Sequence, residues 1–330
     1  MKYMSYLFGI LKKNSYVFSK VKKLTPQKVI DKASVILEEE RPIAVYSNNE
    51  NTFFDRKSKT VKNSLPVFYW DTKPNFGDLI GPYLISKISG RSVVNIKNSN
   101  YAGMMAVGSI IQMIDRKNIV IWGSGLINEP NLEVAVSIKK YKPKVLSVRG
   151  KKTAKYLAEL GITVENENAY GDPALILPLF YEPSVENKEK IGICPHHIHK
   201  SAFLEKVIEK NNLKIIDVQE DVETVVDNIS SSTVCISTSL HGLIIAQAYE
   251  IPWVWLEVCD NNLIGNDFKF KDFFSTIDES QVSHISIKEE NIDTLDFEMM
   301  AKKAVLPKGY YDKNLILKVI QDYFRDSEKN

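Results

Sequence analysis

Cysteine is scarce in this 330-residue chain: Cys194, Cys235 and Cys259 are three, widely spaced, with no C-x-x-C pair. That usage argues against a disulfide framework and fits a reducing cytoplasm. Cys194 and Cys235 fall in strand-like apolar runs, where a thiol packs as a small hydrophobe. Long apolar runs are missing as well, since no stretch reaches the roughly 18 residues of a membrane span. Neither sign of charge dominates: 43 Lys and Arg against 41 Asp and Glu leave a net charge of +2. Nucleic acid is therefore not an expected partner. No internal repeat and no low-complexity tract are found. What remains is a chain with 44% hydrophobic and 25% charged residues, ordinary for a globular protein and long enough for two domains.

The first residues, Met1 to Lys23, mix Tyr6-Leu7-Phe8 and Ile10-Leu11 with Lys12, Lys13, Lys20, Lys22 and Lys23. The apolar core is too short for a signal peptide and lacks a small-residue cleavage site. An ordinary surface helix accounts for it, with a basic helix on anionic lipid as the alternative. Asn48 to Asn63 is polar and reads as a linker or exposed loop.

Beyond it strands and helices alternate. Val67–Trp70, Ile119–Trp122 and Val145–Val148 read as strands, each running into a turn: Asp71 to Asp78, Gly123-Ser124-Gly125, and Arg149-Gly150. Tyr170 to Ala174 is a further polar turn. A second series begins near Glu189, with strands at Ile191–Cys194, Lys214–Val218 and Thr233–Ser237, and helices over Phe203–Lys210 and Val222–Ser230. Two such series predict an α/β protein of two Rossmann-like domains facing across a cleft. The expected division is an extension and linker over 1–63, a first domain over 64–183, a second over 184–295, and a helical segment over 296–330 that packs back. Tyr69, Trp70, Trp253 and Trp255 lie in strand-like runs and are expected in the core, with stacking on a sugar as the alternative.

Thr238-Ser239-Leu240-His241-Gly242 is the most informative stretch. It lies between the strand Thr233–Ser237 and the apolar run Leu243–Tyr249, hence on a strand-to-helix turn. Ligands of open α/β sheets bind at such turns. The exposed N–H groups of a helix start favour an anion, and a histidine there can exchange a proton. His196, His197 and His199 look like a metal cluster, but neighbouring side chains diverge and no cysteine or carboxylate spacing supports one. His197 and His199 are expected on the surface.

Five segments occur in an order that resembles the polysaccharide pyruvyl transferase family: Asn75-Phe76-Gly77-Asp78, Trp122-Gly123-Ser124-Gly125, Val148-Arg149-Gly150, Gly171-Asp172-Pro173-Ala174 and Ser239-Leu240-His241-Gly242. The resemblance covers about Phe68 to Phe274. It implies transfer of a pyruvyl group from phosphoenolpyruvate to a hexose with release of phosphate, giving a pyruvate ketal. It further implies a fold similar to GT-B glycosyltransferases and a place in capsule, exopolysaccharide or cell-wall synthesis. Pro195-His196 matches a Pro-His pair of the family. Some branches carry arginine where this chain has Ser239, so positive charge must come from Lys200, Lys269 or Lys151.

The donor's carboxylate and phosphate need fixed cations and N–H groups. Arg149 is expected to hold one of them, with Thr238, Ser239, Leu240, His241, Gly242, His196, Lys200 and Lys269 completing the donor site. His241, Arg149 and Asp78 are the expected catalytic residues. Asn75, Asp78, Gly123, Ser124, Gly125 and Asp172 are the expected acceptor side, although Asp78 also suits a helix cap and Asp172 a turn. The scheme calls for no metal and no cofactor, phosphoenolpyruvate being a co-substrate. The acceptor is open between lipid-linked oligosaccharide, nucleotide sugar and finished polymer. The expected location is the cytoplasm, with peripheral contact at the inner face of the membrane. A nucleotide-sugar glycosyltransferase is the alternative on the same fold, with Glu257 and Asp260 as its acids; a non-catalytic carbohydrate-binding protein is a third reading.

Overall fold

Short β-branched runs such as Ile119-Val120-Ile121 are apolar on both faces, the composition of a strand covered by helices on both sides. The computed structural model describes residues 44–45, 53–55, 60–97, 101–185, 190–207, 212–265 and 267–328. Its first sheet draws on β1 (Ala44–Val45), β4 (Leu65–Phe68), β5 (Val93–Asn95), β6 (Gly103–Met105), β7 (Ile119–Trp122) and β8 (Lys144–Ser147); β2 (Phe53–Asp55) and β3 (Thr60–Lys62) form a separate hairpin. The strand order is β1-β5-β4-β6-β7-β8. Five of these strands run parallel, and β1 is antiparallel at the edge. Helices α1 (Phe76–Ser89), α2 (Leu132–Tyr141) and α3 (Lys151–Glu159) connect them.

The second sheet contains β9 (Lys190–Cys194), β10 (Leu213–Ile215), β11 (Ser232–Ser237), β12 (Trp253–Val258) and β13 (His284–Ile287) in the order β10-β9-β11-β12-β13, all parallel. Its helices are α4 (Lys200–Lys206), α5 (Val222–Ser230), α6 (Leu240–Ala248) and α7 (Phe268–Phe274), followed by α8 (Phe297–Ala301) and α9 (Lys313–Glu328). Two sheets, each with five parallel strands and crossover helices, are the arrangement expected of two Rossmann-like domains.

One apolar core joins both sheets and their helices: Val67 and Trp122 of the first sheet and Tyr83 of α1 share a buried cluster with Trp253 of the second sheet, Leu243 of α6 and Phe273 of α7. Helix α9 closes onto the first sheet, where the Trp122 indole donates to the carbonyl of Ile316 at 3.1 Å. Backbone bonds also cross directly, Phe76 N–H to Val218 O at 2.8 Å among them.

Several expectations shift. The first strand begins two residues earlier and ends at Phe68, which leaves Trp70 42% exposed on the following loop instead of in the core. Tyr69, Trp253 and Trp255 are buried. The strand expected over Lys214–Val218 stops at Ile215, and the helix expected from Phe203 starts at Lys200 and ends at Lys206. The basic segment Met1 to Lys23 lies outside the described residues. Among those described, no helix is long and apolar enough to cross a membrane.

Candidate active site

The turns picked out by the sequence converge at the carboxyl ends of the strands. After β11 the chain reverses tightly. Ser239 N–H donates to Ser237 Oγ at 2.9 Å, and the same hydroxyl oxygen lies 2.8 Å from Cys194 O. Ser239 precedes α6 without capping it through its side chain. A Cβ at Gly242 would collide with Ser237 Oγ and Cys194 Sγ, so only glycine lets α6 sit so close to β9 and β11.

Thr238 ties this turn to the loop after β9. His199 is 2% exposed, not on the surface as expected. Its Nε2 faces the carbonyl of Asn261 at 2.7 Å, so Nε2 carries the proton and Nδ1 accepts from the Thr238 hydroxyl at 2.9 Å. The Thr238 oxygen in turn accepts from His196 N–H at 2.8 Å. Both nitrogens of His199 are spent, so it organises the loop that presents His196 and His197. Burial, then the charge of Lys269, holds His196 far below the ordinary histidine value, and it is neutral at pH 7.

His241 occupies the first turn of α6 and is 9% exposed. Phe76 meets its ring edge-on at 6.4 Å, and Nδ1 lies against Gly77, where any Cβ would overlap the imidazole. Burial, reinforced by Arg149 and Lys269, lowers its pKa to about 3. Asp78, one residue after Gly77, accepts from Asn75 Nδ2 at 2.7 Å. Burial raises its pKa to about 6 against the opposing effects of that bond and of Lys269.

Lys269, on α7, is 8% exposed and has no hydrogen-bond or ion-pair partner among the described residues; its ammonium lies 5.6 Å from the Phe270 ring. Burial and the neighbouring Arg149 lower its pKa to about 8, and Asp78 partly offsets them. It therefore remains largely charged at pH 7. A cation with no hydrogen-bond or ion-pair partner among the described residues, beside neutral imidazoles and a helix start, has the character of an anion site.

Arg149 is placed differently from the expectation. It is fully buried, with Nε and Nη2 on Asp272 Oδ2 at 3.0 and 2.9 Å, Nη1 on Ser109 Oγ at 2.6 Å and Nη2 on Leu126 O at 2.7 Å. Asp272 also accepts from Thr153 N–H and Thr153 Oγ1, both at 2.8 Å. The guanidinium thus links the loop after β8 to α7 as an internal cation and presents no free fork to a ligand. Gly123, Ser124 and Gly125 build its surroundings. Gly125 packs against the guanidinium, Gly123 (φ 71°) against Pro173, and the buried Ser124 hydroxyl donates to Gly108 O at 2.8 Å. What approaches these residues is protein, not solvent. Lys200 is likewise engaged, with Asp217 at 2.6 Å and Gln219 at 2.8 Å. Asp172 is buried and caps Ala174 N–H through Oδ1 at 3.0 Å, the turn role foreseen for it, but its other oxygen is 3.9 Å from His241 Nε2.

A model of the polysaccharide pyruvyl transferase family matches residues 37–261. The chain belongs to that family. An uncharacterised protein of Acanthamoeba polyphaga mimivirus is 29% identical over 252 residues, 72% of this chain and 84% of that protein. The crystal structure of a functionally uncharacterised protein from Klebsiella pneumoniae aligns over 70% of this chain and 95% of its own, at 11% identity and a TM-score of 0.40. All five sequence segments of this pyruvyl transferase family member fall inside the matched region, whereas Lys269 and Asp272 lie beyond it. Asp272 was not foreseen. The only sequence signal was an acid set among Phe270, Phe273 and Phe274, which marks a buried carboxylate in need of a partner.

Proposed function

We propose that the protein transfers the pyruvyl group of phosphoenolpyruvate to two hydroxyls of a hexose in a surface-polysaccharide precursor, forming a ketal and releasing phosphate. The observation that carries this reading is the buried Lys269, without a hydrogen-bond or ion-pair partner among the described residues, beside neutral His241 at the start of α6. Lys269, His196 and the N–H groups of Leu240, His241 and Gly242 receive the donor's anionic groups, and the Thr238 and Ser239 turn shapes the pocket. Arg149 contributes its charge from behind.

Asp78, in its acid form, gives a proton to C3 of the donor as the π pair forms the new C–H bond. The first sugar hydroxyl bonds to C2 and its proton passes to His241. Phosphate then leaves with the pair of the C2–O bond and takes the proton held by His241. The second hydroxyl closes the ketal at C2 and returns its proton to Asp78. Every proton is accounted for without a metal or a further cofactor. Asn75 orients Asp78 beside the acceptor, and the exposed Trp70 offers a sugar-stacking face at the same end of the sheet. A GT-B-like arrangement of the two domains and work at the inner face of the membrane belong to the same proposal.

The nucleotide-sugar alternative loses weight because its two acids are engaged. Glu257 pairs with His284 at 3.0 Å and Asp260 accepts from Glu289 N–H at 2.8 Å. The test is phosphate release from phosphoenolpyruvate against a panel of free and lipid-linked hexosides. Acceptor-dependent phosphate with the matching mass gain on the sugar supports the proposal. No phosphate with any acceptor, together with binding of a nucleotide sugar, overturns it.

A further inference from the structure

Two buried polar atoms face each other without a hydrogen bond: Asp172 Oδ2 and His241 Nε2, 3.9 Å apart. Each is enclosed, and neither has another partner. Such a pair is costly to leave unmade, since a buried polar group forfeits its hydration. The backbone over-determines the carboxylate: Gly171 has φ 145°, Pro173 follows, and Oδ1 caps Ala174 N–H. The ring is equally fixed, between the edge of Phe76 and Gly77. Because Nε2 is enclosed, the imidazole can exchange a proton with a ligand only through Nδ1.

We infer that Asp172 is a positioning residue for His241: its carboxylate takes the Nε2 proton as a hydrogen bond, fixes that tautomer, and leaves the Nδ1 lone pair as the reacting nitrogen at Gly77. This rests on the proposed pyruvyl transfer and departs from the expectation that Asp172 binds acceptor, because no part of its side chain is exposed. When Nδ1 takes the hydroxyl proton, the ring becomes an imidazolium whose charge Asp172 offsets, and the 3.9 Å gap closes to a charge-assisted bond. Catalytic contacts are often long before substrate is bound. The other groups acting on the ring, Arg149, Lys269 and His196, are cations or neutral imidazoles. Asp172 is therefore the carboxylate that can balance an imidazolium at Nε2. Burial holds Asp172 near a pKa of about 6, so it is mostly ionised at pH 7.5.

The test is Asp172→Asn, which keeps an oxygen for Ala174 N–H. Full-length protein carrying 15N-histidine, with His241→Ala to assign the signal, is read at pH 7.5. In the wild type His241 is expected as the Nε2–H tautomer, and in Asp172→Asn that preference falls. On turnover, kcat is expected to drop about 100-fold or more, KM for phosphoenolpyruvate to stay within about twofold, and the melting temperature to hold or rise. A wild-type ring protonated on Nδ1, or an Asp172→Asn enzyme with unchanged kcat, overturns the inference. If the wild type transfers no pyruvyl group to any acceptor, the functional proposal fails, and the tautomer measurement still decides the role of Asp172.

Discussion

Replacing Asp272 by alanine tests the assignment of Arg149 as an internal cation. The substitution removes acceptors for Arg149 Nε and Nη2 and for both donors of Thr153, all buried. The guanidinium keeps Ser109 Oγ and Leu126 O but loses the carboxylate that balances its charge. Breaking one side of a buried ion pair costs about 3–5 kcal/mol, because the remaining charge is left desolvated. At about 2 °C per kcal/mol for a chain of this size, the melting temperature should fall by roughly 6–10 °C. Thermal denaturation followed by near-ultraviolet circular dichroism measures this, since the buried Trp253 and Phe274 stack at 6.0 Å reports on the packing around α7. The pair Arg149→Met with Asp272→Leu should recover most of the loss, as apolar replacements of buried ion pairs often do. A melting temperature within about 2 °C of wild type for Asp272→Ala would refute the reasoning. The guanidinium would then be solvated or re-paired, and a ligand-binding fork would again be open to Arg149.

His241→Ala should retain the fold and lose acceptor-dependent phosphate release by about 100-fold or more, measured with a coupled phosphate assay. Lys269→Met should raise KM for phosphoenolpyruvate by roughly 10- to 100-fold, the scale of a lost hydrogen bond to a charged group. In the wild type, kcat/KM for the donor should decline as pH rises through about 6, where Asp78 loses its proton, and more steeply through about 8, where Lys269 loses its own; a slope that does not steepen near pH 8 would remove Lys269 from donor binding. The same shift makes folding stability increase between about pH 8 and 10.5, because the unfolded chain binds the extra proton there. Trp70→Ala should raise acceptor KM about two- to tenfold, equivalent to roughly 0.5–1.5 kcal/mol of ring contact, while leaving donor KM unchanged.

The turns that form the site were legible because their signal is local. Apolar β-branched runs stop at glycines, small hydroxyls and a histidine, and helical periodicity resumes directly after. Local signals also located α5 and β7 to the residue. The role of Arg149 was not legible. Its position after a buried strand suits a ligand fork as well as an ion pair, and the deciding partner is 123 residues away on a helix the sequence reading did not identify. Separating His196 from His199 required the fold of their loop, since the Asn261 carbonyl that claims His199 comes from beyond β12. Strands β5 and β6 are three residues each, too short for alternation to register. Of the three lysines proposed as cations, Lys200 fell to an acid 17 residues away and Lys151 is exposed, which left Lys269.

The burial of His241, Asp78 and Lys269 poses a chemical difficulty that the proposed donor would resolve. Burial drives each titrating group toward its neutral form, which puts the pKa of His241 at about 3, that of Asp78 at about 6 and that of Lys269 at about 8. A histidine with a pKa near 3 is a feeble base, and an acid with a pKa near 6 is mostly spent at pH 7.5. An entering polyanion acts on all three in the same direction. Opposite charge favours the cationic forms of His241 and Lys269, and like charge disfavours ionised Asp78, so each pKa rises. Under the proposed function, donor binding therefore moves His241 toward the range where it can accept a hydroxyl proton, strengthens the ammonium form of Lys269, and keeps Asp78 protonated for transfer to C3. Asp172 works on the same side at Nε2. With its histidine, lysine and aspartate buried in this way, the site is a poor acid–base machine by itself and, under the proposed function, a competent one only around an anion.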